Sequence, residues 1–220
     1  MIVAIDGPAG AGKSTVAKAL AARLGIGYLN TGSMYRALTL LALRDGVALD
    51  DESALAELVR THDIALRPEP AGDRVVLDGL DVTEAVRAPR VTESVSLVAG
   101  HRAVRAEIVA RQQSLLGDGD WVADGRDIGS VVCPDADVKV FLTADPAIRA
   151  HRRHAELAGG GDDVALGDVL QDITRRDAID AGRAESPLLV TPGAVVIDSS
   201  DRSIDDVVQQ IAMLAKGAVG

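Results

Sequence analysis

Short apolar runs alternate along this chain with longer stretches whose apolar positions recur every three or four residues. Ile2 to Ile5 is a continuous apolar run, the pattern of a strand buried on both faces. A glycine-rich turn follows, and the spacing then predicts a helix from about Lys13 to Leu24. A second helix is expected over about Met34 to Arg44, where Leu38, Leu41 and Ala42 fall at helical spacing. A third is expected over Ser53 to Arg60, with Ser53 as its N-cap. The period then changes. Ile64-Ala65-Leu66 and Val75-Val76-Leu77 flank the turn-forming stretch Pro68-Glu69-Pro70-Ala71-Gly72-Asp73, which predicts a β-hairpin, with Asp81-Val82-Thr83 as a short third strand. The segment from about 62 to 87 therefore reads as an insertion carrying its own small antiparallel sheet. The β-branched character of both arms disfavours an irregular surface loop.

Helical patterns resume from about Pro89 to Ala99 and from Arg102 to Leu116. Trp121-Val122-Ala123 and Val138 to Leu142 read as buried strands, with Asp124-Gly125-Arg126-Asp127 between them. Helices over about Pro146–Leu157 and Leu166–Ala181 flank Gly159-Gly160-Gly161. A strand at Ala194 to Ile197 and a helix over about Ser203 to Lys216 complete the chain. Alternating strands and helices imply an α/β fold, a central parallel sheet with helices on both faces. No repeat, low-complexity tract or interdomain linker interrupts this order, so 1–220 is expected to be a single domain.

Composition narrows the partners. The net charge of −10 lacks the basic footprint that nucleic-acid binding needs, and Tyr28, Tyr35, Trp121 and Phe141 are the only aromatic residues. A small-molecule ligand is expected instead, with no nucleic acid and no membrane. Cys133 is the single cysteine, which excludes an intrachain disulfide and suits a reducing, cytoplasmic compartment. The first residues lack a basic, signal-like segment, and no apolar stretch approaches the ~18 residues needed to span a bilayer.

The run Gly7-Pro8-Ala9-Gly10-Ala11-Gly12-Lys13-Ser14 matches G-x-x-x-x-G-K-[ST], between a predicted strand and a predicted helix. In that context the glycines let backbone N–H groups curl around phosphate oxygens, and the helix N-terminus adds positive potential. Lys13 is placed for the β- and γ-phosphates, Ser14 for a Mg²⁺ ion, and Thr15 for the next phosphate contact. A nucleoside triphosphate with Mg²⁺ is expected. The motif leaves its fate open between a switch GTPase, a nucleic-acid or motor ATPase and a small-molecule kinase. The single asparagine, Asn30, is followed by Thr31, so the guanine-reading Asn-Lys-x-Asp loop is absent. The acidic run Asp50-Asp51-Glu52 follows a helix in a loop rather than ending a strand, which disfavours a motor. A kinase acting on an anionic acceptor needs arginines, and Arg36, Arg105, Arg126, Arg176 and Arg183 are the candidates. Arg126 stands just past a buried strand, where open parallel sheets hold their ligands. Arg176, Asp180 and Arg183 are spaced to share one helix face, a spacing that a solvated salt bridge meets equally well.

Taken together, the motifs resemble bacterial cytidylate kinase over nearly the whole chain. The resemblance is carried by Ile5-Asp6-Gly7 with the phosphate loop, by Asn30-Thr31-Gly32-Ser33-Met34-Tyr35-Arg36, by Asp124-Gly125-Arg126-Asp127-Ile128-Gly129 leading to Cys133-Pro134-Asp135-Ala136, and by Arg176-Asp177 through Asp180, Arg183 and Pro187-Leu188. The family commonly has aspartate where Asn30 stands, and threonine and a bulky apolar residue where Ser130 and Cys133 stand.

The resemblance implies a three-layer sandwich of the P-loop nucleoside triphosphate hydrolase type, with the inserted hairpin sheet and a mobile lid. The core would comprise 1–30, 100–148 and 185–220, the monophosphate-binding segment 31–99, and the lid about 149–170. It implies transfer of the ATP γ-phosphoryl group to CMP, and usually dCMP, in pyrimidine metabolism, by a monomer. Ser96, Arg105 and Asp127 would read cytosine. Arg36, Arg126 and Arg176 would hold the acceptor phosphate, Asp180 and Arg183 the sugar, and Thr31 and Tyr35 would line the same pocket.

The chemistry of the base agrees. A carboxylate accepts from the N4 amino group of cytosine and an arginine donates to N3 or O2, whereas uracil reverses the pattern. On residues alone, Asp127 is equally a partner of Arg126 and Ser96 a helix-surface serine. Transfer is expected to be direct and in line, because the acceptor phosphate has a second pKa near ~6 and needs no general base. Asp124 is a candidate for a Mg²⁺-bound water, or simply an aspartate ending its strand. Arg153, with Arg149 as the alternative, is expected to swing onto the transferring group from a lid running from His151-Arg152-Arg153-His154 through Gly161. His151 and His154 read as a solvated face rather than a metal site.

Overall fold

A computed structural model describes residues 1–67, 73–117, 119–159 and 164–218. The order of elements is β1 (Ile2–Asp6), α1 (Lys13–Leu24), β2 (Gly27–Asn30), α2 (Gly32–Asp45), α3 (Glu52–Thr61), β3 (Ile64–Arg67), β4 (Arg74–Leu77), β5 (Leu80–Asp81), α4 (Pro89–Val98), α5 (Arg102–Leu116), β6 (Trp121–Gly125), β7 (Val138–Thr143), α6 (Pro146–Gly159), α7 (Leu166–Ala181), β8 (Val195–Asp198) and α8 (Ile204–Ala218).

Five parallel strands form the central sheet in the order β2-β6-β1-β7-β8. The alternation of side chains along β1 divides the core in two. Val3 and Ile5 face a layer made with Val16, Leu20 and Tyr28 and with Val207 and Ile211 of α8. Ala4 faces the other layer, built on α2, α3, α4 and α5. Each fully buried aliphatic side chain contributes about 1.5–3 kcal/mol relative to exposure. A smaller apolar group, Ala150, Val169 and Ile173, joins α6 to α7. The inserted segment is a three-stranded antiparallel sheet, β3-β4-β5, whose Ile64, Leu66, Val75 and Leu77 enter the α2 side of the core. Its tip, expected as a turn over Pro68 to Asp73, lies outside the described residues except for Asp73.

Four local expectations are corrected in whole or in part. The cap of α3 is Asp51, whose carboxylate accepts from Ala54 N–H at 3.0 Å; Ser53 lies inside the helix. Of the acidic run, Asp50 and Asp51 lie in the loop as expected and only Glu52 belongs to the helix, where it accepts from Ala103 N–H at 2.6 Å. The third strand of the insert is Leu80–Asp81 rather than 81–83. Arg183 lies beyond α7, which ends at Ala181 with Gly182 as its cap, so it shares no helix face with Arg176. Among the described residues, no helix is long and apolar enough to cross a membrane.

Candidate active site

The C-terminal ends of β1, β6 and β2 lie side by side, with Ile5 and Asn30 both in register with Asp124. The loop after β1 turns sharply here. Gly7 has φ 150°, and a Cβ on it would stand 2.0 Å from the Leu142 carbonyl oxygen, so only glycine fits. Gly12 caps α1 at φ 86° with no side-chain cap, which leaves the first N–H groups of the helix facing the cleft as an anion site. Lys13 is buried, and its ammonium donates to the Pro8 carbonyl at 2.7 Å. Burial foremost, then the charge of Arg126, lowers its pKa well below the usual lysine value, against the pull of Asp124, Asp6 and Asp180.

Asp124 organises the floor beside the loop. Its carboxylate accepts from Ser14 Oγ at 2.9 Å and from the Tyr28 hydroxyl at 2.8 Å, and its carbonyl accepts from Thr31 Oγ1 at 2.8 Å. Asn30 Nδ2 donates to Ser14 Oγ at 3.3 Å. Burial raises the Asp124 pKa, and Lys13, Tyr28 and Ser14 oppose that rise. Tyr28 belongs to β2, an element the sequence pattern did not disclose. Behind this floor, Asp6 accepts from Ile128 N–H at 2.7 Å and Gly129 N–H at 2.8 Å, tying β1 to a wide turn at Ile128–Val132. Burial pushes its pKa up to about 6.

Across an open cleft of about 660 Å³, arginines gather. Arg36 donates to the Val86 carbonyl at 3.0 Å and to Thr92 Oγ1 at 2.8 Å. Its pKa falls to about 9 through burial and the charges of Arg176, Arg153, Arg126 and Arg87. Arg176 is buried, its Nε has no hydrogen-bond partner among the described residues, and burial with Arg126 lowers its pKa too. Asp180 is shared between Arg126, at 2.8 Å, and Arg183, at 2.5 Å. Burial would raise the Asp180 pKa, but these two arginines and Arg176 hold it below the ordinary range. So dense a set of cations has the chemistry of an anion site.

Farther along the same cleft, Arg105 and Asp127 form a buried ion pair. The Arg105 guanidinium lies 5.6 Å from the ring centre of Tyr35, whose buried hydroxyl has no hydrogen-bond partner among the described residues. Burial foremost raises the Asp127 pKa, and Arg105 and Arg183 counter it. Asp127 thus pairs with Arg105 and not with Arg126, and Ser96 is buried at the cleft rather than on a helix surface.

On α6 the two lid candidates separate. Arg149 is buried, donating to the carbonyls of Ala144 and Ala9, both at 2.9 Å, and to Asp177 at 2.6 Å. Arg153 lines the cleft. Arg152 is fastened to Ser199. Gly160 and Gly161 lie outside the described residues, while Gly159 is the last residue of α6. Among the described residues, no group of three or more histidine, cysteine or acidic side chains is arranged to hold a metal.

Of the residues that sequence reasoning placed at a site, Ala9, Gly10, Gly12, Lys13, Ser14, Thr15, Thr31, Tyr35, Arg36, Ser96, Arg105, Asp124, Arg126, Asp127, Arg153, Arg176, Asp180 and Arg183 line this one cleft, whereas Gly7, Pro8 and Ala11 of the loop do not. It missed Tyr28, Asp73 and the strap made by Asp6. Only Asp6 carried a signal, as an acidic residue immediately before the first glycine of the loop.

The family model described as cytidylate kinase matches residues 3–217. The cytidylate kinase of Caldanaerobacter subterraneus subsp. tengcongensis is 47% identical over 209 residues, covering 95% of this chain and 92% of that protein. The one from Geobacillus kaustophilus is 48% identical over 218 residues, covering 99% and 97%. Among solved structures, a gluconokinase from Sinorhizobium meliloti aligns with a TM-score of 0.51 at 16% identity, over 98% of this chain and 92% of that one, a likeness of fold.

Proposed function

The chain belongs to the cytidylate kinase family, and from that premise we propose that it transfers the γ-phosphoryl group of ATP directly to the phosphate of CMP and of dCMP. The observation that carries this reading is that one cleft is lined both by the phosphate loop and by Arg36, Arg126 and Arg176.

The loop amides and Lys13 hold the triphosphate. A phosphate arriving beside Lys13 supplies the charge its burial lacks and takes its ammonium from the Pro8 carbonyl. Magnesium fits the donor set, since Ser14 Oγ and the Asp124 carboxylate are hard oxygen donors 2.9 Å apart at the end of β6. When bound, the ion spreads the charge of the β- and γ-phosphates. Arg36, Arg126 and Arg176 take the acceptor phosphate. Its dianion attacks without a general base, so the arginines supply alignment and charge neutralisation. Arg153 reaches the transferring group from the lid. Asp180 and Arg183 meet the sugar, and Asp127 and Arg105, with Ser96 beside them, read the base. On this reading 31–99 is the monophosphate-binding segment and 149–170 the lid. The protein acts as a cytoplasmic monomer on free nucleotides.

The test is ADP release with Mg²⁺–ATP against CMP, dCMP, UMP, AMP, GMP and shikimate. Turnover concentrated on CMP and dCMP is expected. A preference for any other acceptor removes the substrate assignment and leaves the family intact.

A further inference from the structure

Asp73 stands immediately before β4 of the inserted sheet, yet its carboxylate crosses to the floor of the phosphate loop. Its Oδ2 accepts from the backbone N–H of Asn30 at 2.7 Å, at the end of β2. Asn30 in turn bonds Ser14, and Ser14 bonds Asp124. Asp73 is only 8% exposed, lines the same cleft as Ser14, Tyr28 and Asp124, and leaves Oδ1 buried with no hydrogen-bond partner among the described residues.

A latch to Asn30 explains one oxygen and not the other. A serine or an amide satisfies the same N–H without placing a second anion near Asp124 in a desolvated wall. A carboxylate oxygen in that position calls for a donor carried by a cation. The loop's own lysine is bonded to Pro8, and Lys18 of α1 stands near enough for its charge to act on Asp73 yet gives Oδ1 no hydrogen bond, so the donors that suit this oxygen are the waters of a hydrated divalent ion held at Ser14 and Asp124.

We propose that Asp73 is a positioning residue for phosphoryl transfer, its Oδ1 accepting hydrogen bonds from the water shell of the divalent cation that accompanies ATP. The inserted sheet then belongs to the donor end of the cleft as well as to the acceptor end. This rests on the kinase reading above and adds a residue to its metal end.

The test is a titration of the full chain with Mn²⁺ in the presence of ATP and absence of acceptor, read by the paramagnetic resonance of free Mn²⁺. Asp73→Asn keeps an acceptor for Asn30 N–H and removes the anionic oxygen. It is expected to raise the Mn²⁺ midpoint about tenfold. The CMP dissociation constant and the hydrogen-exchange protection of the Asn30 amide are expected to stay at wild-type values. An unchanged midpoint overturns the proposal and leaves Asp73 a latch. A raised midpoint with equally weakened CMP binding also overturns it, as general damage. If Asp73→Asn does not fold, Asp73→Ser is read by the same criteria. Wild-type turnover with CMP is measured separately, so its absence removes the kinase reading while the metal titration still judges Asp73.

Discussion

Arg149 Nη1 donates to Asp177 Oδ2 at 2.6 Å, and the two side chains grip Ala9 of the phosphate loop from both sides. The guanidinium bonds the Ala9 carbonyl at 2.9 Å, and the carboxylate accepts from its N–H at 3.3 Å. Arg153, one turn further along α6, is bonded to Glu156 at 3.1 Å and lines the cleft. Neighbouring arginines of one helix thus have different surroundings, and substitution separates them.

Arg153→Ala is expected to lower kcat by about 100-fold, the usual effect of removing one donor to a developing charge. The KM for CMP and the melting temperature stay near wild type. Steady-state kinetics with a thermal melt checks this, and an unchanged kcat removes Arg153 from the transfer step.

Arg149→Ala is expected to act through stability instead. It strands the Ala144 and Ala9 carbonyls and leaves Asp177 without its cation. The loss is about 2 kcal/mol, below that of a fully buried pair because Asp177 keeps some contact with water. Urea unfolding measures it, and ATP affinity falls with it because Ala9 loses its support.

Where Asp127 is proposed to read the base, Asp127→Asn replaces an acceptor with a group that also donates. On that reading cytosine N4 is expected to meet a mismatched or weakened partner, and uracil O4 to gain a donor. The ratio of kcat/KM for CMP over UMP is expected to fall by about 100-fold. Competition between the two nucleotides in one assay reads the ratio directly. An unaltered ratio places base discrimination elsewhere in the cleft.

These assignments differ in how far the sequence disclosed them. The phosphate loop is contiguous, so its spacing displays the whole device, and α1 and β1 were legible for the same reason. β2 was not, since Gly27-Tyr28-Leu29-Asn30 is four residues long and its two buried side chains face opposite layers. Tyr28 reaches Asp124 across 96 positions and Asp73 reaches Asn30 across 43, distances over which no local pattern operates. The partners of the arginines were hidden in the same way. Asp127 was weighed against adjacent Arg126, but the fold delivers Arg105 to it, and Asp180 goes to Arg126 from 54 residues away.

Arg176 is a place where binding and stability are expected to oppose one another. It is buried among Arg36, Arg126 and Arg153, opposed by the charges of Asp172 and Asp180, and its Nε has no hydrogen-bond partner among the described residues. Arg176→Met keeps much of the volume and removes the repulsion. It is expected to raise stability by about 1 kcal/mol, seen as a higher melting temperature, while weakening CMP binding by at least about 30-fold. Calorimetric titration with CMP and a thermal melt on the same sample decide it. A fall in both quantities makes Arg176 a structural residue.

The strap made by Asp6 sets a pH dependence whose sign follows from its pKa. Burial lifts that pKa from 3.8 to about 6, so between those values the folded chain holds a proton that the unfolded chain has released. Stability therefore falls as pH rises through this window. The contribution is fully present below the unfolded value and is lost above about pH 6, a total of about 3 kcal/mol at 1.36 kcal/mol per unit. Asp6→Asn does not titrate there, and the other carboxylates are common to both proteins. The stability of wild type minus that of Asp6→Asn, from urea unfolding at intervals between pH 4 and 7, is expected to decline by roughly that amount. A rising difference would mean that the Ile128 and Gly129 amides outweigh burial, and that the strap holds its carboxylate ionised wherever the protein is folded.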